Sequence, residues 1–389
     1  MHTFLRIAKR EIALLFHNKS LFTFAVILPF IIFLFFFTLL SNGVARDLPI
    51  AVVDLDNSSF SRTIIAQLNA TPEVEVAFIP ESTLEAESLI KNLDVYGFVV
   101  IPNNANLNLK QGKQITISNQ YNSNLLLPSG LVNKAFQRVI GTLSAKVNIE
   151  KQLKKGIYLK QAKTNYQAVQ LNNSILSNPY LNYNYYLNSG FLTFFFQIFV
   201  LLTTIYAFGT DLKYNKGDKL FNIAKGNTKA LLLGKRLPYT LWFFTLGLIL
   251  LIAMFSVVDF PFAGNKILVI VSLLLLIIAS QTFALLFISL SKSFREALTF
   301  GSGFTAVSLS FSGITFPVFG MPNLLQLISN LFPFTHFFNL FLDQTQRGLP
   351  MHYSQYPVFF LIGLITLSIV ISYKKIENLL IKGSFTNNI

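Results

Sequence analysis

Charge-free apolar runs of membrane length alternate with polar stretches along this chain, and that alternation predicts the architecture before any motif is considered. Leu21–Leu40 runs 20 residues without a charge. At about 1.5 Å per helical residue such a run covers roughly 30 Å of hydrocarbon. Five later runs share this character, at about 189–209, 237–258, 266–290, 298–318 and 356–373. Ahead of the first, residues 1–20 place Phe4, Ile7, Ala8, Ile12, Leu15 and Phe16 at helical spacing, with Arg6, Lys9, Arg10 and Lys19 elsewhere. The pattern predicts a basic amphipathic helix lying in the inner-leaflet interface. A cleaved signal peptide competes for this region. Its apolar core spans only about 7–15 residues, however, and no small-x-small cleavage site follows here, so 21–41 is expected to stay as a first crossing with the N-terminus inside.

Residues 42–187 are polar, with mixed α/β signals. Pro49–Asp54 and Val74–Ile79 read as strands, as do Val95–Ile101 and Gln114–Ser118. Asp56-Asn57-Ser58-Ser59 forms a turn capping a helix over 60–69, and Ser82-Thr83-Leu84-Glu85 is a capping box opening a helix over 83–92. Beyond Pro128, residues 129–172 have few breakers and predict one or two long helices. Tyr180, Tyr183, Tyr185 and Tyr186 then suit an interfacial aromatic belt. In the second half, Met321–Gly348 is apolar but broken by Pro322, Pro333 and Gly348, and it carries Asn323, Gln326, Asn330, His336, Asn339 and Asp343. A lipid-exposed span there is costly, so a re-entrant or surface-lying hairpin over 319–348 on the outer side is expected. The fold class is therefore an α-helical polytopic membrane protein of six transmembrane helices. It carries an inserted α/β extracytoplasmic domain over 42–187 and a re-entrant helical hairpin before the sixth helix. Residues 188–373 hold helices two to six, and 374–389 form a cytoplasmic tail.

Charge supports this layout. The net charge of +14 could suggest nucleic acid, but its distribution argues otherwise. The stretches 1–20, 210–236, 291–297 and 374–389 carry 16 Lys/Arg against five acids, whereas 42–187 carries 13 against 10. The excess is juxtamembrane and falls on one side of a six-span layout, as the positive-inside rule requires. No nucleic-acid partner is expected; the bilayer is. With no cysteine, thiol catalysis, disulfides and cysteine metal sites are excluded.

Energy-coupling chemistry is missing from the chain. A phosphate loop needs GxxxxGK[ST], and Gly234-Lys235-Arg236 lacks the hydroxyl and has Lys229 where the first glycine belongs. Neither HExxH nor metal spacing among the four histidines is present. No catalytic, cofactor or metal residue is assigned. What remains is the basic segment 210–236, with an apolar patch of Leu220, Phe221, Ile223 and Ala224 beside its charges. It reads either as a solvated loop obeying the positive-inside rule or as a coupling helix docking on an ATPase through Lys213, Lys216, Gly217, Asp218, Lys219, Leu220 and Phe221. Because no apolar run carries an ionisable residue at its middle, a proton- or ion-coupled carrier is disfavoured. Gln197, Thr203, Thr204, Ser310, Ser312 and Thr315 are candidates for a substrate path, with helix–helix hydrogen bonding as the alternative. Phe194–Phe196 is read as lipid-facing or packing, with a substrate gate as the alternative.

Several fragments in order carry a resemblance. They are the basic leading helix with Pro29 in the first run; Ala51-Val52-Val53-Asp54-Leu55-Asp56-Asn57-Ser58 with Ser61-Arg62; and Gly97-Phe98-Val99-Val100-Ile101-Pro102. Later come Leu233-Gly234-Lys235 with Pro238-Tyr239; Ser312-Gly313-Ile314-Thr315-Phe316-Pro317; Met321-Pro322; and Phe332-Pro333-Phe334-Thr335. Together they resemble the ABC-2 type permeases, particularly drug-exporter-like members with a large outer domain between spans one and two. The resemblance implies two permease halves, this chain and a second copy or paralogue, above two ABC ATPase subunits that supply ATP and Mg. It also implies that Pro317, Met321, Pro322 and Pro333 belong to the re-entrant hairpin, and that the chain itself is not an enzyme. Relatives usually carry an acidic stretch ending in Gly-Thr near the coupling region, where this chain reads Tyr214-Asn215-Lys216-Gly217-Asp218-Lys219. The expected setting is a bacterial inner membrane with both termini cytoplasmic. In a Gram-negative host a periplasmic adaptor and outer-membrane channel would complete the route. A membrane scaffold or receptor presenting 42–187 without transport is the alternative.

Overall fold

The structure is a computed structural model and describes residues 2–166, 178 and 182–385. In chain order, the helical elements α1 (His2–His17) and α2 (Lys19–Leu39) lead into β1 (Leu48–Asp54), α3 (Ser59–Asn69), β2 (Val74–Phe78), α4 (Thr83–Lys91) and β3 (Gly97–Ile101). Then come α5 (Ala105–Lys110), β4 (Ser118–Tyr121), α6 (Leu126–Lys154) and α7 (Leu159–Tyr166). The rest is helical: α8 (Asn184–Lys213), α9 (Gly217–Ile223), α10 (Thr228–Val257), α11 (Lys266–Leu290), α12 (Phe294–Phe311), α13 (Asn323–Ser329), α14 (Pro333–Leu342) and α15 (Met351–Lys382). The chain divides into two compact units, one of Met1–Gly43 with Ile175–Ile389 and one of Val44–Ser174.

The second unit is built on a sheet of order β2-β1-β3-β4, parallel between β1 and its two neighbours and antiparallel between β3 and β4. Ile50, Ala51, Val52 and Val53 of β1 are all fully buried, the continuous apolar run expected of a strand covered on both faces. Both helix starts read from the sequence are present. Ser58 accepts from the Ser61 amide at 3.2 Å while Ser61 Oγ accepts from the Ser58 amide at 3.0 Å, a reciprocal box. Ser82 accepts from the Glu85 amide at 3.2 Å, but Glu85 reaches back to the Glu81 amide, so that box closes one residue early. The last strand is displaced. Gln114–Ser118 was expected, yet the ladder to β3 pairs Val100 with Ser118 and Gly97 with Tyr121, leaving 114–117 outside the sheet. Beyond it, α6 and α7 fill 126–166; residues 167–172 of the expected helical stretch, and Tyr180 of the expected belt, lie outside the described residues.

In the helical unit, five helices among the described residues are long and apolar enough to cross a membrane: α2, α8, α10, α11 and α15. The apolar run expected at 298–318 is instead the 18-residue α12, about 27 Å long at 1.5 Å per residue. It ends at Phe311 because Gly313 turns into the left-handed region at φ 89° and Pro317 follows. α15 runs unbroken from Met351 to Lys382, through both the span expected at 356–373 and the start of the tail expected from 374. The core is aromatic. Phe194 meets the Phe334 ring edge-on at 5.6 Å and Phe196 meets Phe243 at 6.1 Å. Phe194 and Phe196 are both buried, so they pack in the core and do not face lipid.

Between α12 and α15 the chain folds back through two short helices. Pro317 is exposed and precedes a single tight turn over Val318–Gly320; Met321 and Pro322 lead into the largely exposed α13. Pro333 opens α14, where its missing N–H costs nothing, and α14 is buried on nearly every side. Of the polar residues that made a lipid-exposed span costly, Gln326, Asn330, His336 and Asp343 have partners here. His336 Nε2 lies 2.9 Å from the Asn330 carbonyl, and Gln326 donates to the Met321 carbonyl at 2.8 Å. Asp343 pairs with Arg347 at 2.8 Å. A buried Gln344 receives the Asn265 amide at 2.9 Å and donates to Ser354 at 2.7 Å, lacing the α10–α11 connection to the start of α15.

Candidate functional site: a buried ion network beneath the basic segment

The basic segment is more ordered than a loop. α8 continues to Lys213 and closes with Asn215 in the left-handed region at φ 51°. There the Lys216 amide reaches back to the Asp211 carbonyl at 2.7 Å. α9 follows, and α10 begins at Thr228, with Asn227 capping through its side chain to the Ala230 amide at 3.0 Å. Residues 228–236, expected as part of a connecting segment, are thus the first turns of a membrane-length helix.

α9 is seated on the end of α15. The Gly217 amide donates to the Gly383 carbonyl at 3.1 Å, and a Cβ at Gly217 would lie 3.0 Å from the Gly383 Cα and carbonyl oxygen. Gly383, at φ 82°, ends α15. Thr228 Oγ1 donates to Glu377 Oε1 at 2.6 Å, tying the start of α10 to the same helix end. Leu220 and Ala224 are buried in one apolar cluster with Ile376, Leu379, Leu380 and Phe385. Leu220 therefore points into the protein. Phe221 is half-buried, Gly217 is covered, and Lys213, Lys216, Asp218 and Lys219 are exposed. Lys213 and Lys216 lie over the Tyr214 ring at 5.6 and 5.8 Å.

Directly behind this segment lies a cluster of charges that sequence reading did not assemble. α1 packs along α10, and Gly234 permits the approach, since a Cβ there would meet the Phe4 carbonyl oxygen at 3.0 Å and Ile7 Cβ at 3.2 Å. The buried side of α1 is Ile7, Ala8, Glu11 and Leu15, while Leu5, Ile12 and Phe16 face outward. Glu11 is fully buried, and Lys235 and Tyr239 are each 1% exposed. Arg10 grips Asp211 with two guanidinium nitrogens, at 2.7 and 3.1 Å, and Glu11 at 2.6 Å. The Lys235 ammonium donates to Glu11 at 3.1 Å and to Asp211, and lies 5.0 Å from the Phe208 ring centre. The Tyr239 hydroxyl donates to the second Glu11 oxygen at 3.1 Å.

Two cations meet two carboxylates, so the buried cluster is neutral. Burial disfavours the charge on Arg10, but its hydrogen bonds and attraction to Asp211 and Glu11 outweigh that, and its pKa sits above the usual arginine value. Bidentate guanidinium–carboxylate contact fixes orientation as well as charge. The network thus joins three helices at one point, α1 through Arg10 and Glu11, α8 through Asp211, and α10 through Lys235 and Tyr239. A local signal for half of it was available. Glu11 falls four residues from Ile7 and four from Leu15, on the apolar stripe of α1, where a carboxylate needs a cation.

The candidate path residues differ in burial. Gln197, Thr203, Thr204 and Ser312 are buried, whereas Ser310 and Thr315 are exposed. Thr204 and Ser312 donate to carbonyls of their own helices, Val200 at 2.7 Å and Leu309 at 2.6 Å. Both amide atoms of Gln197 and the Thr203 hydroxyl are buried without a hydrogen-bond partner among the described residues.

The family description "ABC-2 family transporter protein" matches residues 19–374. The chain belongs to the ABC-2 family of transporter proteins. The resemblance read from scattered fragments is therefore shown over most of the chain. The ABC-2 chain is also 24% identical over 365 residues to ABC transporter G family member 20 of Dictyostelium discoideum, covering 92% of this chain and 48% of that protein. It spans about half the length of the curated relative it matches. An ABC-2 membrane domain is the transmembrane component of a transporter and not its ATPase. This is a multi-pass membrane permease.

Proposed function

We propose that this permease is the membrane-spanning subunit of an ATP-driven exporter in a bacterial inner membrane. It would move a hydrophobic or amphipathic substrate out of the cytoplasm or the inner leaflet while two separate ATPase subunits hydrolyse Mg-ATP. α12 would act as the fifth of six crossings, both termini would lie inside, the α/β unit outside, and α13–α14 would form the re-entrant hairpin. A second permease copy or paralogue would complete the path, and in a Gram-negative envelope an adaptor and outer channel would extend it.

The observation supporting this reading is the exposed basic face of residues 213–229, held on a base tied by ion pairs and hydrogen bonds to α1, α10 and α15. Lys213, Lys216, Asp218 and Lys219 are presented by α9 and the end of α8. The same helix end is clamped to α1 and α10 by Asp211. A push on α9 from a nucleotide-driven ATPase therefore reaches three helices together. Surface charges of this kind set register and partner choice, while apolar contacts fit the pocket. Direct contact is assigned to the exposed charges and to Phe221; Leu220 acts by holding α9 in place.

Charge reversal of Lys216 and Asp218 together should lower, by about tenfold, the stimulation of ATP hydrolysis that the reconstituted permease gives its ATPase. The fold should be intact, because both side chains are exposed. Unchanged stimulation would refute their role.

A further inference from the structure

Within the α/β unit, two apolar faces look at each other across a space that neither fills. On one side α6 presents Ile140, Leu143 and Val147 in a single stripe, continued at its far end by Lys151. On the other side the extended stretch after α5 alternates, with Ile115 and Ile117 half-buried and Gln114 and Thr116 exposed. That alternation belongs to a strand covered on one face, yet 114–117 pairs with no strand. Ile115 and Ile117 line the cleft opposite α6, Phe60 and Leu109 line it too, and the polar Gln114, Ser144 and Asn148 also border it.

The space between them is a half-open cleft of about 260 Å³, room for about nine waters at roughly 30 Å³ each. Water gains little against the stripe of Ile140, Leu143 and Val147 facing Ile115 and Ile117, because a buried water needs two to four polar partners. At the rim the chemistry changes sign. Lys113 and Lys151 border the cleft, no carboxylate lines it, and neither lysine joins an ion pair among the described residues. Lys151 folds toward the opening, its ammonium 3.4 Å from the Gly112 carbonyl. An apolar slot ending in two unneutralised cations is complementary to one kind of molecule.

We propose that this cleft binds a single-chain anionic amphiphile of the fatty-acid type. The alkyl chain would lie between α6 and residues 112–117, with the carboxylate at Lys113 and Lys151. The site lies wholly within the Val44–Ser174 unit and does not depend on the exporter reading.

The test uses the full chain in phosphatidylcholine nanodiscs, with diazirine-bearing palmitic acid as the photoprobe and mass spectrometry of the labelled peptides. Label is expected in residues 112–117 and 140–151. Reversing both lysines, Lys113→Glu with Lys151→Glu, should reduce that label about tenfold or more, because a charge-assisted contact is lost at each. Both side chains are exposed, so the fold should tolerate the change. Val147→Trp, which fills the slot, should abolish the label there while leaving any label in the helical unit unchanged. Unlabelled fatty acids from octanoate to laurate should compete with potency rising about fourfold per methylene. Label confined to the helical unit, or equal label in the lysine-reversed protein and the wild type, would overturn the proposal. Because ATP hydrolysis plays no part, either result leaves the coupling test independent.

Discussion

Glu11→Ala is expected to destabilise the purified permease by about 3–5 kcal/mol, the cost of removing one partner from a buried ion pair. The substitution takes from Lys235 one of its two carboxylates, from Arg10 a contact at 2.6 Å, and from the Tyr239 hydroxyl its acceptor. The cluster is left with two cations on a single carboxylate, and the Lys235 ammonium among them is buried. Replacing both members of the pair, Glu11→Met with Lys235→Met, should cost much less, because the Arg10–Asp211 grip survives as a neutral unit and no charge is stranded. Thermal unfolding of the two variants beside the wild type checks this directly. The double variant should unfold closer to the wild type than the single one does. If both lose equal stability, the network is not acting as a coupled set of charges.

The second large effect is expected at Gly217. α9 rests on the end of α15 through backbone on both sides, with a Gly217 Cβ position 3.0 Å from the Gly383 Cα and carbonyl oxygen. Neither atom can swing aside as a side chain would. Gly217→Ala should be tolerated with a small shift, whereas Gly217→Val should force the two helix ends apart at a cost of about 1–3 kcal/mol and break the amide hydrogen bond to Gly383. Lifted from its seat, α9 can move without carrying α8 and α10 with it. The valine variant should therefore still assemble with the ATPase but lose about tenfold of the stimulation of ATP hydrolysis, with the alanine variant between. Full stimulation in the valine variant would show that rigid seating of α9 is irrelevant to coupling.

Much of this architecture was legible because its causes are local. Long charge-free runs become α2, α8, α10, α11 and α15, and the Ser58 and Ser82 caps start helices where side-chain chemistry demands it. Errors arose where a distant element decides. Ile115 and Ile117 have the alternation of a strand, and their apolar side is real, but its partner is the α6 stripe and not the sheet. Hydropathy carries 298–318 past Phe311, and the backbone turn at Gly313 stops it. The ion network was hidden for the same reason. Arg10 and Asp211 stand 201 positions apart, and Lys235 and Glu11 224. Lys235 looked like one more cation in a basic segment because nothing within a helical turn reveals that it faces inward. Polarity within an apolar run marks helix contacts as readily as a cavity: Thr204 and Ser312 donate their hydroxyls to their own backbones, whereas Gln197 and Thr203 hold buried polar atoms with no partner among the described residues.

The central claim is that the face of residues 213–229 meets an ATPase on the nucleotide side of the membrane. The absence of cysteine makes a direct measurement clean. A single Lys219→Cys variant, probed with a membrane-impermeant maleimide, should remain unlabelled in intact cells, label after permeabilisation, and form a cross-link to the copurifying ATPase. Labelling of that cysteine in intact cells would contradict the account.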